Sequence, residues 1–251
     1  YNKGGRPKCL NSEFDFIMAI KKGYDGSIHA SSSAVASDMK IRGHKKEDVF
    51  AARFNGKVIK GRQKPDVVKE SDRVSVKGAA ENIQLYLSKL KPSEDFYGVN
   101  SPLYKFHLAG AEHRKFKYEN NNYEDTELLK VYKSAADDAA EWLRNKDNFR
   151  MVIEKVFSDN YDANKLAVLK EVDQDAILYD MKDVVNLYAN SNYNVHVTDR
   201  AKIVVRADNR EIFYLEIRGG KDHCGSMNHG VRTSGLYDFL KENLNYEIIP
   251  A

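Results

Sequence analysis

The run KPDVVKESDRVSVKG (residues 64–78) sets an aspartate, Asp66, directly after a proline and a lysine, Lys77, inside a valine-flanked stretch. An ammonium in such a place is costly to bury, so it either escapes to water or meets an anion. The intervening KESD (69–72) supplies turn residues, which predicts a hairpin. Alternation then puts Ser75 and Lys77 on one face of the second strand and Val74 and Val76 on the other. Asp66 joins Ser75 and Lys77 from the neighbouring strand, and Pro65 restricts that strand to a start or an edge. Such a group suits phosphodiester hydrolysis. The carboxylate holds a hard cation, Mg²⁺ by its preference for oxygen. The cation activates water and neutralises phosphate charge. The lysine adds a fixed positive charge as the transition state gains negative charge. The competing structural reading is a surface hairpin whose lysine snorkels to water while Asp66 caps a turn.

PDVVKESDRVSVK resembles the PD-(D/E)xK nuclease signature, and the chain as a whole resembles a type II restriction endonuclease. The match lies at Pro65-Asp66 and at Lys77; it departs at Ser75, where that family most often has Asp or Glu. The resemblance implies a mixed α/β core, a mixed sheet flanked by helices, with an added helical segment. It implies catalysis by Asp66 and Lys77 with Ser75 as an outer polar group, and 5′-phosphate products. It implies Mg²⁺ held by Asp66, Glu47 and Val76, the last through its main chain. The missing acid is expected from a helix: Glu47 on HKKEDVFAARFNG (44–56) first, then Glu81, with Glu94 further on. Two other readings stay open, a non-catalytic DNA-binding protein and a structure-selective repair or junction nuclease.

Helices are expected over 12–24, 31–40, 44–56 and 79–90, and strands over 57–60, 66–69 and 73–77. The region 123–172 reads as helical throughout, followed by strand 176–179 and helix 180–190. Strands 193–198, 201–207 and 211–218 come next, the last two joined through Asp208-Asn209, and a closing helix starts at Ser234. This divides the chain into a basic arm (1–11), a catalytic core (12–122), a helical segment (123–190) and a hairpin, loop and terminal helix (191–251), all within one compact domain.

The glycine-rich EIRGGKDHCGSMNHGVRTSG (216–235) is expected to be a DNA-recognition loop held out by the preceding hairpin. Its candidate contacts are Arg218, Lys221, His223, Asn228, His229, Arg232, Thr233 and Ser234. Arginine pairs with guanine and asparagine with adenine, while glycines let the backbone approach closely. Zinc at His223, Cys224 and His229 has only three ligands and lacks paired cysteine spacing. Lys60, Arg62 and Lys64 form an acid-free basic run, and Arg6 sits in GGRPK, a short match to minor-groove arms. The net charge of +3 says little by itself, but this clustering fits one phosphate-facing side. No apolar run approaches a membrane span, the first residues lack a signal-peptide core, and two cysteines make no disulfide framework. A reducing, cytoplasmic setting is expected, with double-stranded DNA as partner and a homodimer if the target is palindromic.

Overall fold

The computed structural model describes residues 33–59, 65–78, 82–120, 123–159, 162–219 and 224–251. Helix α1 (Ser33–Phe54) leads into a meander of β1 (Lys57–Val58), β2 (Val67–Lys69) and β3 (Asp72–Gly78). Strand β4 (Asn82–Ser88) precedes helices α2 (Leu90–Tyr97), α3 (Pro102–Glu119), α4 (Thr126–Leu143) and α5 (Lys146–Ser158). Then come β5 (Lys165–Leu169), β6 (Ala176–Asp180), α6 (Met181–Asn190), β7 (Tyr193–Val197), β8 (Ile203–Ala207), β9 (Arg210–Ile217) and β10 (Met227–Arg232). A π-helical turn (Ser234–Asp238) runs into α7 (Phe239–Asn243), and β11 (Glu247–Ile249) closes the order.

The fold is mixed α+β. One sheet has the order β1-β2-β3-β5-β6-β11 and the other β4-β10-β9-β8-β7. In the first sheet the meander is antiparallel, but β3 pairs with β5 in parallel, Ser75 beside Leu166 and Lys77 beside Val168. A parallel partner needs a long crossover, and helices α2 to α5 lie within it. Leu166, Val168, Ile177 and Tyr179 turn one face of this sheet into a core shared with Ile203, Val205, Phe213 and Leu215 of the second sheet and with buried residues of α3 to α6. The opposite face carries Val67, Val74, Val76, Ala167 and Leu169, covered by Phe50, Ala51 and Phe54 of α1.

Local chemistry explains the boundaries. Asn55 takes a left-handed φ of 54° and the Gly56 N–H reaches the Ala51 carbonyl at 2.8 Å, the closure expected of Asn-Gly after a helix. Ser101, Asp125, Asn145 and Asp180 accept first-turn N–H groups of α3, α4, α5 and α6. Asp208 and Asn209 both have positive φ, as a two-residue turn between β8 and β9 requires.

Five expectations change. The helices expected over 31–40 and 44–56 are one helix that runs through Gly43. The helix expected over 79–90 is instead β4: Ile83 and Leu85 are buried around exposed Gln84, a period of two satisfied by pairing with β10. The helical reading of 123–172 fails at 165–169, where KLAVL is a buried strand. The recognition loop of 216–235 contains β10, the strand between β4 and β9. Ser234 makes no side-chain cap; the final helix starts from Thr233 in helical conformation. The helix expected over 12–24 and the arm 1–11 lie outside the described residues.

Candidate active site

Asp66 sits just before β2 and is fixed at both backbone groups. Its N–H donates to the Val74 carbonyl at 2.9 Å and its carbonyl accepts from Ile59 at 2.8 Å. The side chain therefore leaves a backbone already held by two strands. Its Oδ2 accepts from the Val76 N–H (2.7 Å), the Ser75 hydroxyl (3.2 Å) and the Lys77 ammonium (3.5 Å). Lys77 also donates to the Val76 carbonyl at 3.2 Å. Its side chain is 13% exposed and that of Asp66 20%, so the pair is partly desolvated while one edge stays open. An ammonium has three donors, and among the described residues two of them are used.

These contacts answer the question of the valine-flanked lysine. Val74 and Val76 face α1, whereas Ser75 and Lys77 fall on the face of Leu166 and Val168. Ser75 is fully buried and spends its hydroxyl on Asp66. A carboxylate at position 75 would instead confront Asp66 with a like charge unless a cation lay between them.

Glu47 falls on the buried stripe of α1 with Phe50, Ala51 and Phe54, one turn nearer the helix start. Its carboxylate bonds His44 Nδ1 at 3.1 Å. Among the described residues no three His, Cys, Asp or Glu side chains gather as a metal-binding group. Asp66, Ser75, Val76 and Lys77 thus come together on the hairpin, while the Glu47 carboxylate is engaged with His44 on α1. Glu94 bonds Lys91 on the first turns of α2. Glu81, Arg6, Lys60, Arg62, Lys64, Lys221 and His223 lie outside the described residues.

Mg²⁺ is commonly bound by one or two carboxylates, with water and substrate phosphate completing its shell. The all-oxygen donors Asp66 Oδ1 and the Val76 carbonyl fit that chemistry, and the three donors on Oδ2 leave Oδ1 as the carboxylate oxygen for a cation.

Two residues that sequence reasoning missed secure this hairpin. Asn164 accepts the Arg73 N–H on its side chain at 2.8 Å, donates its amide to the Ser71 carbonyl at 3.0 Å, and donates its own N–H to the Arg73 carbonyl at 2.9 Å. It ties the PD hairpin to the start of β5. Lys46 donates to the carbonyls of Leu169 (3.4 Å) and Lys170, and its chain lies where a side chain on Gly78 would begin. It fixes α1, one residue before Glu47, over the end of β3. An asparagine after DA and a lysine in a basic run give no local sign of such roles.

The expected DNA readers divide in the structure. Asn228 and His229 are fully buried, so the exposed-loop expectation does not hold for them. Asn228 donates to Glu216 Oε1 at 3.0 Å. His229 Nδ1 meets the Tyr86 carbonyl at 3.3 Å and must be its donor; Nε2 then accepts from the Tyr97 hydroxyl at 3.0 Å. Burial pushes the Tyr97 phenol well up, with Tyr86 adding to it, so Tyr97 stays a donor. Both ring nitrogens are engaged, which also removes His229 from the zinc reading. Gly230 is where the Tyr214 ring passes: a Cβ there would lie 2.3 Å from the ring. Arg218 is 37% exposed beside Glu216, Arg232 is 35% exposed beside Glu211, and Thr233 and Ser234 lead into the final helix.

The stretch before β10 is anchored by His107 on α3, whose Nε2 donates to the Gly225 carbonyl at 2.8 Å while Nδ1 is buried without a partner. Burial lowers its pKa to about 4, only partly offset by that bond. Since the unfolded imidazole titrates near 6.5, the unfolded chain binds more protons between these values. His107 therefore stabilises the fold fully above pH 6.5, and that stability is lost as pH falls toward 4. From pH 7.5 to 4.5 it accounts for about 2.5 kcal/mol. Urea unfolding at the two pH values should show a drop smaller by this amount in His107→Gln than in the wild type. Equal drops would contradict the assignment.

No family model matches the chain, and no curated protein matches it in sequence.

Proposed function

We propose that this protein is a Mg²⁺-dependent endonuclease of restriction type that hydrolyses phosphodiester bonds in double-stranded DNA and leaves 5′-phosphates. The observation that carries the reading is the approach of the Asp66 carboxylate and the Lys77 ammonium to 3.5 Å across one hairpin. The resemblance of PDVVKESDRVSVK to the PD-(D/E)xK signature and the mixed sheet flanked by helices support it.

Asp66 Oδ1 and the Val76 carbonyl are the groups that would hold the cation, which when bound supplies an acidified water and neutralises phosphate charge. Lys77 is tethered by Asp66 and by the Val76 carbonyl, so its charge is preorganised for the scissile phosphate. The Val76 N–H and the Ser75 hydroxyl hold the Asp66 carboxylate in place through two hydrogen bonds to Oδ2. Glu47 is the reserve acid on α1. A palindromic target would call for a two-fold dimer, and work on DNA in a restriction system sets the protein in the cytoplasm.

Serine in the place of the second acid favours one other reading, a DNA-binding protein that does not cut. Incubation with phage-length duplex DNA separates the two. The nuclease reading predicts discrete fragments with Mg²⁺ and none with EDTA. A salt-sensitive gel shift with no cleavage under any divalent ion would leave only the binder.

A further inference from the structure

Away from the hairpin, an open cleft of about 450 Å³ is lined by Arg206, Asn209, Arg210, Glu211, Arg232 and the Thr233-Ser234 pair. Its cations come from three adjacent strands of the second sheet: Arg206 from β8, Arg210 from β9 and Arg232 from β10. They are not equivalent. Arg210 is held by Glu242 through two contacts of 2.7 and 2.9 Å, so its charge is largely spent. Arg206 is exposed and forms no ion pair among the described residues. Arg232 lies 3.6 Å from Glu211, a carboxylate that Lys202 already binds at 2.8 Å. Glu211 is 16% exposed and shared by two cations, so Arg232 is oriented at the cleft.

We infer that Arg206 and Arg232 form a binding site for backbone phosphates of duplex DNA. Strands two apart in a sheet lie roughly 9.6 Å from each other, and β9 lies between β8 and β10. The two guanidinium groups rise from either side of β9 and flank the cleft. A guanidinium takes phosphate oxygens bidentately, and Ser234 at the rim carries a hydroxyl that is a further donor. Because the contacts are to phosphate, they position DNA without reading its sequence. This deepens the nuclease reading and rests on it for the identity of the anion.

The test is fluorescence anisotropy of a labelled 24-base-pair duplex without divalent cations, over a series of salt concentrations. Arg206→Gln combined with Arg232→Gln should weaken binding at every sequence tried. Each lost phosphate contact should lower the slope of log affinity against log salt by about 0.9, hence by about 1.8 for the pair. Arg206→Gln alone removes an exposed side chain with no ion pair to disturb, so it folds as the wild type does and should lower the slope by about 0.9. Arg150→Gln, on α5 outside the cleft, controls for loss of one charge and should leave the slope in place. A wild-type slope in both cleft variants overturns the inference, as does a wild type that binds no duplex. Failure of the nuclease reading looks different: DNA is bound, the cleft variants weaken it, and Mg²⁺ produces no cutting.

Discussion

Lys77→Ala should slow Mg²⁺-dependent DNA cleavage by about 10²–10³-fold, the usual consequence of losing one preorganised charge at a developing anion. Among the described residues the ammonium touches only Asp66 and the Val76 carbonyl, and it is 13% exposed, so its removal leaves the strand pairing and the valine face intact. Duplex affinity should change by less than tenfold, as expected for one cation among several. Single-turnover rates on a duplex, compared with anisotropy on the same duplex, separate the two effects. A rate unchanged by Lys77→Ala would assign the lysine to the structure of the hairpin. Equal losses of rate and affinity would make it a binding residue.

The second large effect lies beneath the site. Phe50 is fully buried, stacks on Phe54 with ring centroids 5.2 Å apart, and packs with Val67, Val74 and Val76, the residues that back the PD hairpin. Phe50→Ala should cost about 3–5 kcal/mol, a large share of the 5–15 kcal/mol typical of a folded domain. Urea unfolding should show the midpoint fall with little change in slope. Because the small core under α1 is the only cover of that sheet face among the described residues, cleavage should also fail at a lower temperature than in the wild type. A loss below 1 kcal/mol would mean that α1 does not hold the sheet.

Legibility followed the range of the interactions. The hairpin was readable because its determinants are local: Pro65 before Asp66, KESD for the turn, and valines in alternation. The helix end at Asn55-Gly56 and the turn at Asp208-Asn209 were readable for the same reason. Strand β5 was not, since a short apolar run such as KLAVL has no period that separates strand from helix; only the parallel pairing with β3 decides it. Strand β4 was hidden in the same way, its partner β10 lying beyond residue 226. The largest misreading was β10, where glycine, asparagine and histidine look like a polar loop. Their partners Glu216, Tyr86 and Tyr97 reach them only through the folded sheet and α2, and burial follows from that. The cleft between β8 and β10 retained Arg232, Thr233 and Ser234 from the expected readers, but Arg206 carried no signal in the sequence.

The most direct measurement compares wild type and Asp66→Asn on long duplex DNA with Mg²⁺. Asparagine keeps the size of the side chain and an oxygen for the Val76 N–H, yet removes the charge that would hold the cation. The proposed function predicts discrete fragments with 5′-phosphate ends from the wild type, none after EDTA, and none from Asp66→Asn although it still binds DNA. Undiminished cutting by Asp66→Asn would contradict it.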